Sequence, residues 1–299
     1  MTVTEVQPYV EDVAQGKNWI AMLGDSCERL ADVPDASVGL GIYSPPFASL
    51  FTYSPSDRDI GNCRDRDEFL EHYGFIVSEM LRVLMPGRIC VVHCAQLATQ
   101  KGRDGAIGLS DFRGQLVKAH VNAGFIYHGE VTIDKDPQAQ AIRTKATSLM
   151  FVTLNKDSAM SRPALADYLL LFRKPGDNPV PIKPECDNET WIEWARACWY
   201  GIRETNTLNT AVAKESEDER HICPLQLDLI ERCVRLWSNR GETVLTPFLG
   251  IGSEVWIAVK HGRVGIGCEL KPSYWRTAVS NLTQLEAEME LPTLLDALA

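Results

Sequence analysis

The chain has 299 residues, of which 45% are hydrophobic and 23% charged, and its formal net charge is -10. This composition is that of a globular domain, and the negative charge argues against a protein that coats nucleic acid regardless of sequence. The sequence has no apolar run of about 18 residues, and its N-terminal stretch MTVTEVQPYVEDVAQGKNWI is polar and acidic, so we expect no membrane span, no signal peptide and a cytoplasmic chain.

A first block of alternating strands and helices is predicted from about Ile20 to Lys174. It begins with a strand over WIAMLGD, a helix over CERLADVP and a strand over SVGLGIY. The segment 66–88 is predicted as an amphipathic helix, because apolar residues recur at every third or fourth position until Pro86-Gly87. The strand ICVVHC follows, then the helix SDFRGQLVKAHVNAG with a serine N-cap and a terminal glycine, and the strands FIYHGEVTI and ADYLLLFRK.

The nine cysteines indicate a reducing compartment, because they are odd in number and form no CxxC pair. The closest grouping, CVVHC, would place Cys90 and Cys94 on one face of a strand and His93 on the other. That arrangement suits tetrahedral metal coordination poorly. We therefore predict buried thiols and no metal site.

A second block is predicted from about His221 to the end. It contains the amphipathic helix PLQLDLIERCVRLWS with proline in its first turn, the strand ETVLT, the helix SEVWIAVKHG, the strand RVGIGCEL and the helix PSYWRTAVSNLTQLEAEM. Strands separated by helices predict an α/β fold with a mostly parallel, doubly wound sheet.

Charge is distributed unevenly between and within the blocks. Residues 135–174 contain seven basic and three acidic side chains, whereas residues 175–220 contain five basic and ten acidic ones. A basic stretch is more often a solvated surface than a nucleic-acid contact, so this feature alone does not define a partner.

A glycine loop joins the strand ETVLT to the helix that begins near Ser253. Gly250 and Gly252 would let a ligand approach the backbone, and Glu269 ends the next strand 17 residues after Gly252. An acid at that place suits the two hydroxyls of a ribose. The loop lacks the GxGxxG spacing and a Lys-Ser/Thr pair, which disfavours dinucleotides and P-loop nucleotides. A tight structural turn is the alternative interpretation.

The tetrapeptide SPPF at 44–47 directly follows a predicted buried strand. Together with TPFLGIGSE it resembles the (D/N/S)PP(Y/F) and DPFxGxGT-like motifs of the amino-group DNA methyltransferases. Their order, catalytic motif first and cofactor loop last, resembles the beta-class circular permutation. The resemblance implies a circularly permuted class I S-adenosylmethionine-dependent methyltransferase fold. It implies a catalytic half at 1–174, a target-recognition insert at 175–220 and a cofactor-binding half at 221–299.

The resemblance also implies functional residues and a cofactor, S-adenosylmethionine. The implied catalytic residues are Ser44, Pro45, Pro46 and Phe47, and the implied cofactor-binding residues are Asp25, His221, Thr246, Phe248, Gly250, Gly252, Ser253 and Glu269. The chain departs from the family pattern at three places. Thr246 replaces the usual Asp, Ser253 replaces the usual Thr, and HICPLQ lacks the usual lysine.

The residue types at 44–47 suit methyl transfer to an exocyclic amino group, whose lone pair is delocalised into the ring. The Ser44 hydroxyl and the Pro45 carbonyl could accept the two amino hydrogens, and the prolines fix the backbone. Phe47 could stack on an extruded base. Such a displacement needs positioning rather than a covalent intermediate or a metal. The alternative, purely structural interpretations are that Ser44 is a strand-end hydroxyl, that the prolines only end the strand and that Phe47 is a core aromatic.

Double-stranded DNA is the implied partner. Predicted DNA-facing residues are Tyr53, Arg58, Arg64, Arg143 and Lys145. Serine in the first position of the motif favours cytosine N4 as the target, with adenine N6 as the alternative. Two rivals are a methyltransferase of small molecules or proteins, and a catalytically inactive DNA-binding or anti-restriction protein, for which Thr246 is the only indication. A homodimer and a restriction endonuclease partner both stay open.

Overall fold

The computed structural model describes residues 9–46, 58–63, 66–99, 101–209 and 224–291. The strands are β1 (Asp12–Gln15), β2 (Trp19–Leu23), β3 (Val38–Tyr43), β4 (Leu84–Ala95), β5 (Leu97–Thr99), β6 (Gly108–Ser110), β7 (Ile126–Ile133), β8 (Asp167–Arg173), β9 (Cys198–Trp199), β10 (Thr243–Thr246) and β11 (Val264–Glu269). The helices are α1 (Ser26–Arg29), α2 (Arg66–Val83), α3 (Lys101–Asp104), α4 (Phe112–Ala123), α5 (Pro137–Thr144), α6 (Phe151–Lys156), α7 (Asn188–Trp194), α8 (Leu227–Trp237), α9 (Ser253–Lys260) and α10 (Pro272–Glu290).

Within these residues, nine strands form one sheet in the order β1-β2-β11-β10-β3-β4-β8-β7-β9, and β5 and β6 form a separate ribbon. The five strands from β2 to β4 in this order are parallel. β8 is antiparallel to both of its neighbours, β4 and β7, and β1 is antiparallel to β2. The predicted mostly parallel α/β sheet is confirmed.

Helices cover both faces of the sheet. α2 and α4 bury Phe69, Tyr73 and Leu116 on one face, and α8 and α9 bury Leu229 and Ile257 on the other. α10 packs beside α9 over β2. The central strand β3 is buried at all six positions, which explains why its sequence VGLGIY shows no polar alternation.

The two halves of the sheet meet where β3 and β10 pair in parallel. The half that contains β3 and β4 comes first in the chain, and the half that contains β10 and β11 comes last. At the amino-terminal edge of this joint, the fully buried guanidinium of Arg88 pairs with Glu242, with Nη1 3.0 Å from Oε2. This ion pair joins residues that are 154 positions apart.

Three predicted element boundaries are wrong. The helix predicted over 66–88 ends at Val83, because Leu84 pairs with Val38 and residues 84–88 already belong to β4. The N-cap of α4 is Asp111, which accepts from the Gly114 amide at 2.9 Å, rather than the predicted serine. α8 begins at Leu227, so Pro224 lies before the helix and not in its first turn.

The predicted faces of β4 are confirmed. Cys90 and Cys94 are buried in the α2 and α4 layer, and burial raises the pKa of the Cys90 thiol to about 12. Across the described residues there is no disulfide and no cluster of His, Cys, Asp and Glu that could hold a metal. Among the described helices, none is both long and apolar enough to cross a membrane.

Residues 175–209, the described part of the predicted insert, pack as part of the same domain as the sheet. α7 and β9 lie within this segment, and β9 extends the sheet beside β7. Glu185 pairs with Arg263 and Arg240 at 2.5 and 3.0 Å, which links the segment to the half of the sheet that contains β10 and β11. Its predicted role in target recognition stays a prediction.

Candidate active site

A pocket of about 200 Å³ lies at the carboxyl ends of the parallel strands. Segments that follow four strands line it: Asp25 after β2, residues 44–46 after β3, residues 247–251 after β10, and Glu269 at the end of β11. Carboxyl ends of parallel strands meet at one edge, and ligands of α/β proteins bind there. The two sequence motifs, about 200 residues apart, therefore form one site.

Ser44 is half-buried on the wall of this pocket. Its Oγ lies 3.0 Å from Nδ1 of His93 and 3.3 Å from the His93 carbonyl oxygen. Pro45 and Pro46 line the pocket beside it, and their rings restrict the backbone that carries the hydroxyl. Phe47 lies outside the described residues.

The glycine loop has the backbone conformation that requires glycine. Gly250 and Gly252 have φ of 54° and 98°, in the left-handed region. Gly252 is the N-cap of α9, and a Cβ there would lie 3.3 Å from that of Ala278. A Cβ on Gly250 would meet no atom within 4 Å, so its requirement is conformational.

Glu269 is oriented by two backbone amides. Its Oε2 accepts from the Gly250 amide at 2.7 Å, and its Oε1 accepts from the Lys271 amide at 2.9 Å. Burial raises the pKa of this carboxyl to about 7, although the two hydrogen bonds oppose the shift. The acid predicted for ribose hydroxyls thus lies in the pocket and is held by the same loop.

Asp25 and Arg58 lie together at the side of the pocket. Asp25 caps α1 by accepting from the Cys27 amide at 2.9 Å. Arg58 Nη1 lies 3.4 Å from Asp25 and 2.6 Å from Glu28, and its guanidinium stacks 4.1 Å from the ring centroid of Tyr9. Its predicted contact with DNA stays a prediction, and its charge is engaged by two carboxylates.

Of the remaining predicted cofactor-binding residues, some line the pocket wall and others lie beneath the glycine loop. Phe248 and Ser253 line the pocket, and Phe248 contacts Tyr43 edge-on at 5.7 Å. Thr246 is fully buried below the loop, where its Oγ1 accepts from the Phe248 amide at 3.4 Å. Neither Thr246 nor Gly252 lines the pocket. Thr246 instead supports the loop from below through its hydrogen bond with the Phe248 amide.

Four of the predicted residues lie outside the described part of the chain, and two lie at α5. Tyr53, Arg64 and His221 lie outside the described residues, as Phe47 does. Arg143 belongs to α5, and Lys145 is exposed at the carboxyl end of that helix. Their predicted roles stay predictions.

The sequence interpretation missed two features of the site. Glu254 is only 5% exposed on the pocket wall, forms no ion pair within the described ranges, and has a pKa raised by burial to about 8. An acid within the apolar stretch SEVWIAV was the available signal. Behind Ser44, His93 contacts Asp167, and Asp167 in turn pairs with the buried Lys135, a cluster that no spacing rule reveals.

The pocket suits a cationic ligand that carries hydroxyl groups. Glu254 is a buried acid without a compensating charge, and the Ser253 hydroxyl is buried without a hydrogen-bond partner in the part of the chain described here. Buried polar groups normally have partners. A ribose at Glu269 and a positive charge near Glu254 would satisfy these groups.

The sheet order and the site define a class I methyltransferase fold. A solved structure from Thermus thermophilus, TTHA0409, described as a DNA modification methylase, has 23% identity, a TM-score of 0.66 and coverage of 89% of this chain and 94% of its own. PvuII DNA methyltransferase, described as cytosine-N4-specific, has 19% identity, a TM-score of 0.64 and coverage of 94% and 96%. The predicted fold class is confirmed.

The model of the N6_N4_Mtase family of DNA methylases matches residues 38–280, and the chain belongs to this family. The type II methyltransferase M.MjaI of Methanocaldococcus jannaschii is 22% identical over 286 residues, which cover 84% of this chain and 87% of that protein. The type II methyltransferase M.BglI of Bacillus subtilis is 27% identical over 117 residues, 39% of this chain and 30% of its own length. The resemblance deduced from the two motifs is confirmed.

Proposed function

We propose that the protein transfers the methyl group of S-adenosylmethionine to an exocyclic amino group of a base extruded from double-stranded DNA. The observation that carries the proposal is that Ser44, Pro45 and Pro46 share one pocket with Gly250 and Glu269. The amino-group acceptors and the nucleoside-binding elements would then face the same space. The small-molecule rival explains only the second set.

The chain's own residues would hold the cofactor at two points. Glu269 would accept the ribose hydroxyls, and Asp25 lies on the side of the pocket that we assign to the adenine. Glu254 would face the cationic end. When bound, S-adenosylmethionine supplies a methyl group on a sulfonium, which makes it electrophilic.

Ser44 and Pro45 would prepare the nucleophile. Hydrogen bonds from the amino group to the Ser44 hydroxyl and to the Pro45 carbonyl would free the nitrogen lone pair, which forms the new N–C bond. The C–S bond breaks with its electron pair going to sulfur, and the nitrogen then releases one proton to water. This is catalysis by positioning, and it uses none of the cysteine thiols.

Cytosine N4 is the target that we favour. Serine stands first in the motif here, and the structurally similar PvuII enzyme is described as cytosine-N4-specific. Adenine N6 is the alternative, since either target presents two amino hydrogens. The catalytically inactive alternative has no support, because Ser44, Gly250 and Glu269 all line the same pocket.

The connection between β7 and β8, residues 134–166, is the part of the chain that we assign to the DNA. Ile133 pairs with Asp167, and Asp167 pairs with Ala95 at the carboxyl end of β4, so the connection leaves the sheet at the edge that bears Ser44. It presents exposed Lys145 and Lys156. These positions suit contacts with phosphates beside an extruded base.

The test is expression in a host without DNA methylation, followed by mass spectrometry of the nucleosides. We expect N4-methylcytosine with the natural sequence, a strongly reduced signal with Ser44→Ala, and a full signal with the control Ser78→Ala on the exposed face of α2. N6-methyladenine alone would replace the proposed base. No methylated base from well-expressed protein would refute the function.

A further inference from the structure

We propose that His93, Asp167 and Lys135 are positioning residues that turn the Ser44 hydroxyl into a hydrogen-bond acceptor for the target amino group. This inference rests on the proposed function of Ser44. The three side chains do not line the pocket and lie behind its wall. They would therefore act through Ser44 and not on the base.

The topology of the sheet brings the group together. His93 lies near the carboxyl end of β4, beside the strand that ends before Ser44. Asp167 begins β8 and pairs with Ala95, two residues beyond His93. Lys135 follows β7, whose last residue pairs with Asp167. Two neighbouring strands, and the turn that follows a third, thus contribute one side chain each at the edge where the pocket lies.

The contacts form a continuous path to Ser44. Lys135 Nζ lies 2.6 Å from Oδ2 of Asp167, and the same oxygen lies 3.2 Å from Nε2 of His93. His93 Nδ1 lies 3.0 Å from Ser44 Oγ. The contact between His93 Nε2 and Asp167 is short but poorly aligned, so it does not count as a hydrogen bond. Charge and proximity, rather than linear geometry, define it.

The carboxylate selects the tautomer of His93. A neutral imidazole carries one N–H, and the negative charge of a carboxylate beside Nε2 favours the tautomer with the hydrogen on that nitrogen. Nδ1 is then an acceptor, and so is the His93 carbonyl oxygen at 3.3 Å. Both groups behind Ser44 are therefore acceptors, so the hydroxyl hydrogen points towards His93. The lone pairs of Oγ are left for the pocket, where the amino hydrogens would lie.

Lys135 keeps this arrangement electrically balanced. It is 6% exposed, and its ammonium offsets the charge of Asp167. Burial alone would raise the pKa of Asp167, but His93 and Lys135 together hold it below its usual value. The carboxylate therefore stays ionised, and its charge continues to favour the hydrogen on Nε2.

A purely structural role explains the cluster poorly. Burial of an ion pair costs desolvation energy that well-packed apolar side chains would avoid, so such a pair contributes little net stability. The orientation of one hydroxyl in the pocket requires polar groups at these positions. Because the structural alternative predicts losses in stability and not in turnover alone, the two roles can be separated experimentally.

Steady-state kinetics on a DNA substrate, with cofactor affinity and thermal stability measured alongside, tests the inference. We expect His93→Phe, which keeps the ring, and Asp167→Asn, which favours the wrong tautomer, to lower kcat by about 10-fold to 100-fold. The KM for S-adenosylmethionine should stay unchanged. His93→Asn offers an acceptor near the position of Nδ1 and should recover part of the rate. The exposed control His128→Phe should leave kcat unchanged.

A double-mutant cycle gives the decisive readout. If His93 acts through Ser44, His93→Phe should change kcat by less than about 2-fold when Ser44→Ala is already present. Equal losses in both backgrounds would overturn the inference, and so would full turnover in His93→Phe or Asp167→Asn. If His93→Phe or Asp167→Asn fails to fold, the same double-mutant cycle with Ser44→Ala is measured with the variant that folds and with His93→Asn. Full turnover in Ser44→Ala would instead refute the proposed function itself.

Discussion

Glu254 shows how one residue can link the pocket to the stability of the protein. Its carboxyl holds a proton up to about pH 8 in the folded state, compared with an ordinary pKa of 4.5. Between these values the folded protein binds more protons than the unfolded chain does. The stabilising effect of that proton is complete below about pH 4.5 and is lost as the pH rises through about 8.

We therefore expect Glu254→Gln to become more stable than the natural protein as the pH rises from 5 to 9, by about a few kcal/mol in the free energy of unfolding. Glutamine has a similar shape and carries no charge to desolvate. Thermal unfolding without cofactor at a series of pH values measures the difference. The exposed control Glu290→Gln should follow the natural protein. Parallel pH profiles for Glu254→Gln and the natural protein would contradict the raised pKa.

At this scale the sequence predicted the residues that belong to motifs and missed those that do not. Ser44, Gly250 and Glu269 were predictable because strand exits and glycine turns have local signatures. Lys135, His93 and Asp167 were not, because they meet only through the pairing of β4, β7 and β8. Arg58 was predicted to face DNA, and its contacts with Asp25 and Glu28 depend on long-range packing.

Among the elements, β4 is joined to the start of β10 by the ion pair of Arg88 with Glu242, the residue before that strand. Arg88 is fully buried, and its guanidinium contacts both carboxylate oxygens. Burial would raise the pKa of Glu242, but its hydrogen bonds with Arg88 and Asn239 lower it. Since β4 belongs to the first half of the chain and β10 to the second, this pair couples the stability of the two halves.

We expect Glu242→Gln to lower the free energy of unfolding by about 3 kcal/mol, because it leaves the buried charge of Arg88 unpaired. Denaturant unfolding, with the midpoint and slope measured together, checks the loss. The matched control is Asp35→Asn, whose partner Arg82 is partly exposed, and it should change stability by less than about 1 kcal/mol. A loss no larger than that of the control would mean that Arg88 finds another partner or water.

Helix and strand periods predicted most elements, and the largest boundary error lies where the apolar pattern of a helix continues into the next strand. Leu84 continues the apolar pattern of α2, so the helix was predicted to run past Val83. Gly87 has a φ of 73°, and the register of β4 against β3 shifts between Val38 and Leu40. Such an irregular strand start depends on pairing with a distant segment, which the local sequence does not contain.

For the whole molecule, the order of the halves was predictable from the order of the two motifs, but the positions of the connecting segments were not. The region 175–220 was predicted as an insert because its periodicity is weak. Within it, β9 extends the sheet, and Lys183 lies near the amino ends of β3 and β10, away from the pocket. Whether a connecting segment lies at the amino or the carboxyl edge of the sheet depends on the directions of the strands that it joins. Those directions are set by the three-dimensional fold and not by the local sequence.

The same geometry makes a prediction about DNA binding. Lys145 and Lys156 belong to the connection at the edge that bears Ser44, and both are exposed. If each contacts a phosphate, Lys145→Ala and Lys156→Ala should each reduce the slope of log K against log salt concentration by about 1. Titration of labelled DNA at several salt concentrations gives these slopes. The exposed control Lys183→Ala, at the opposite edge, should keep the natural slope. Unchanged slopes for both lysine variants, or an equal loss in the control, would place the DNA on another surface.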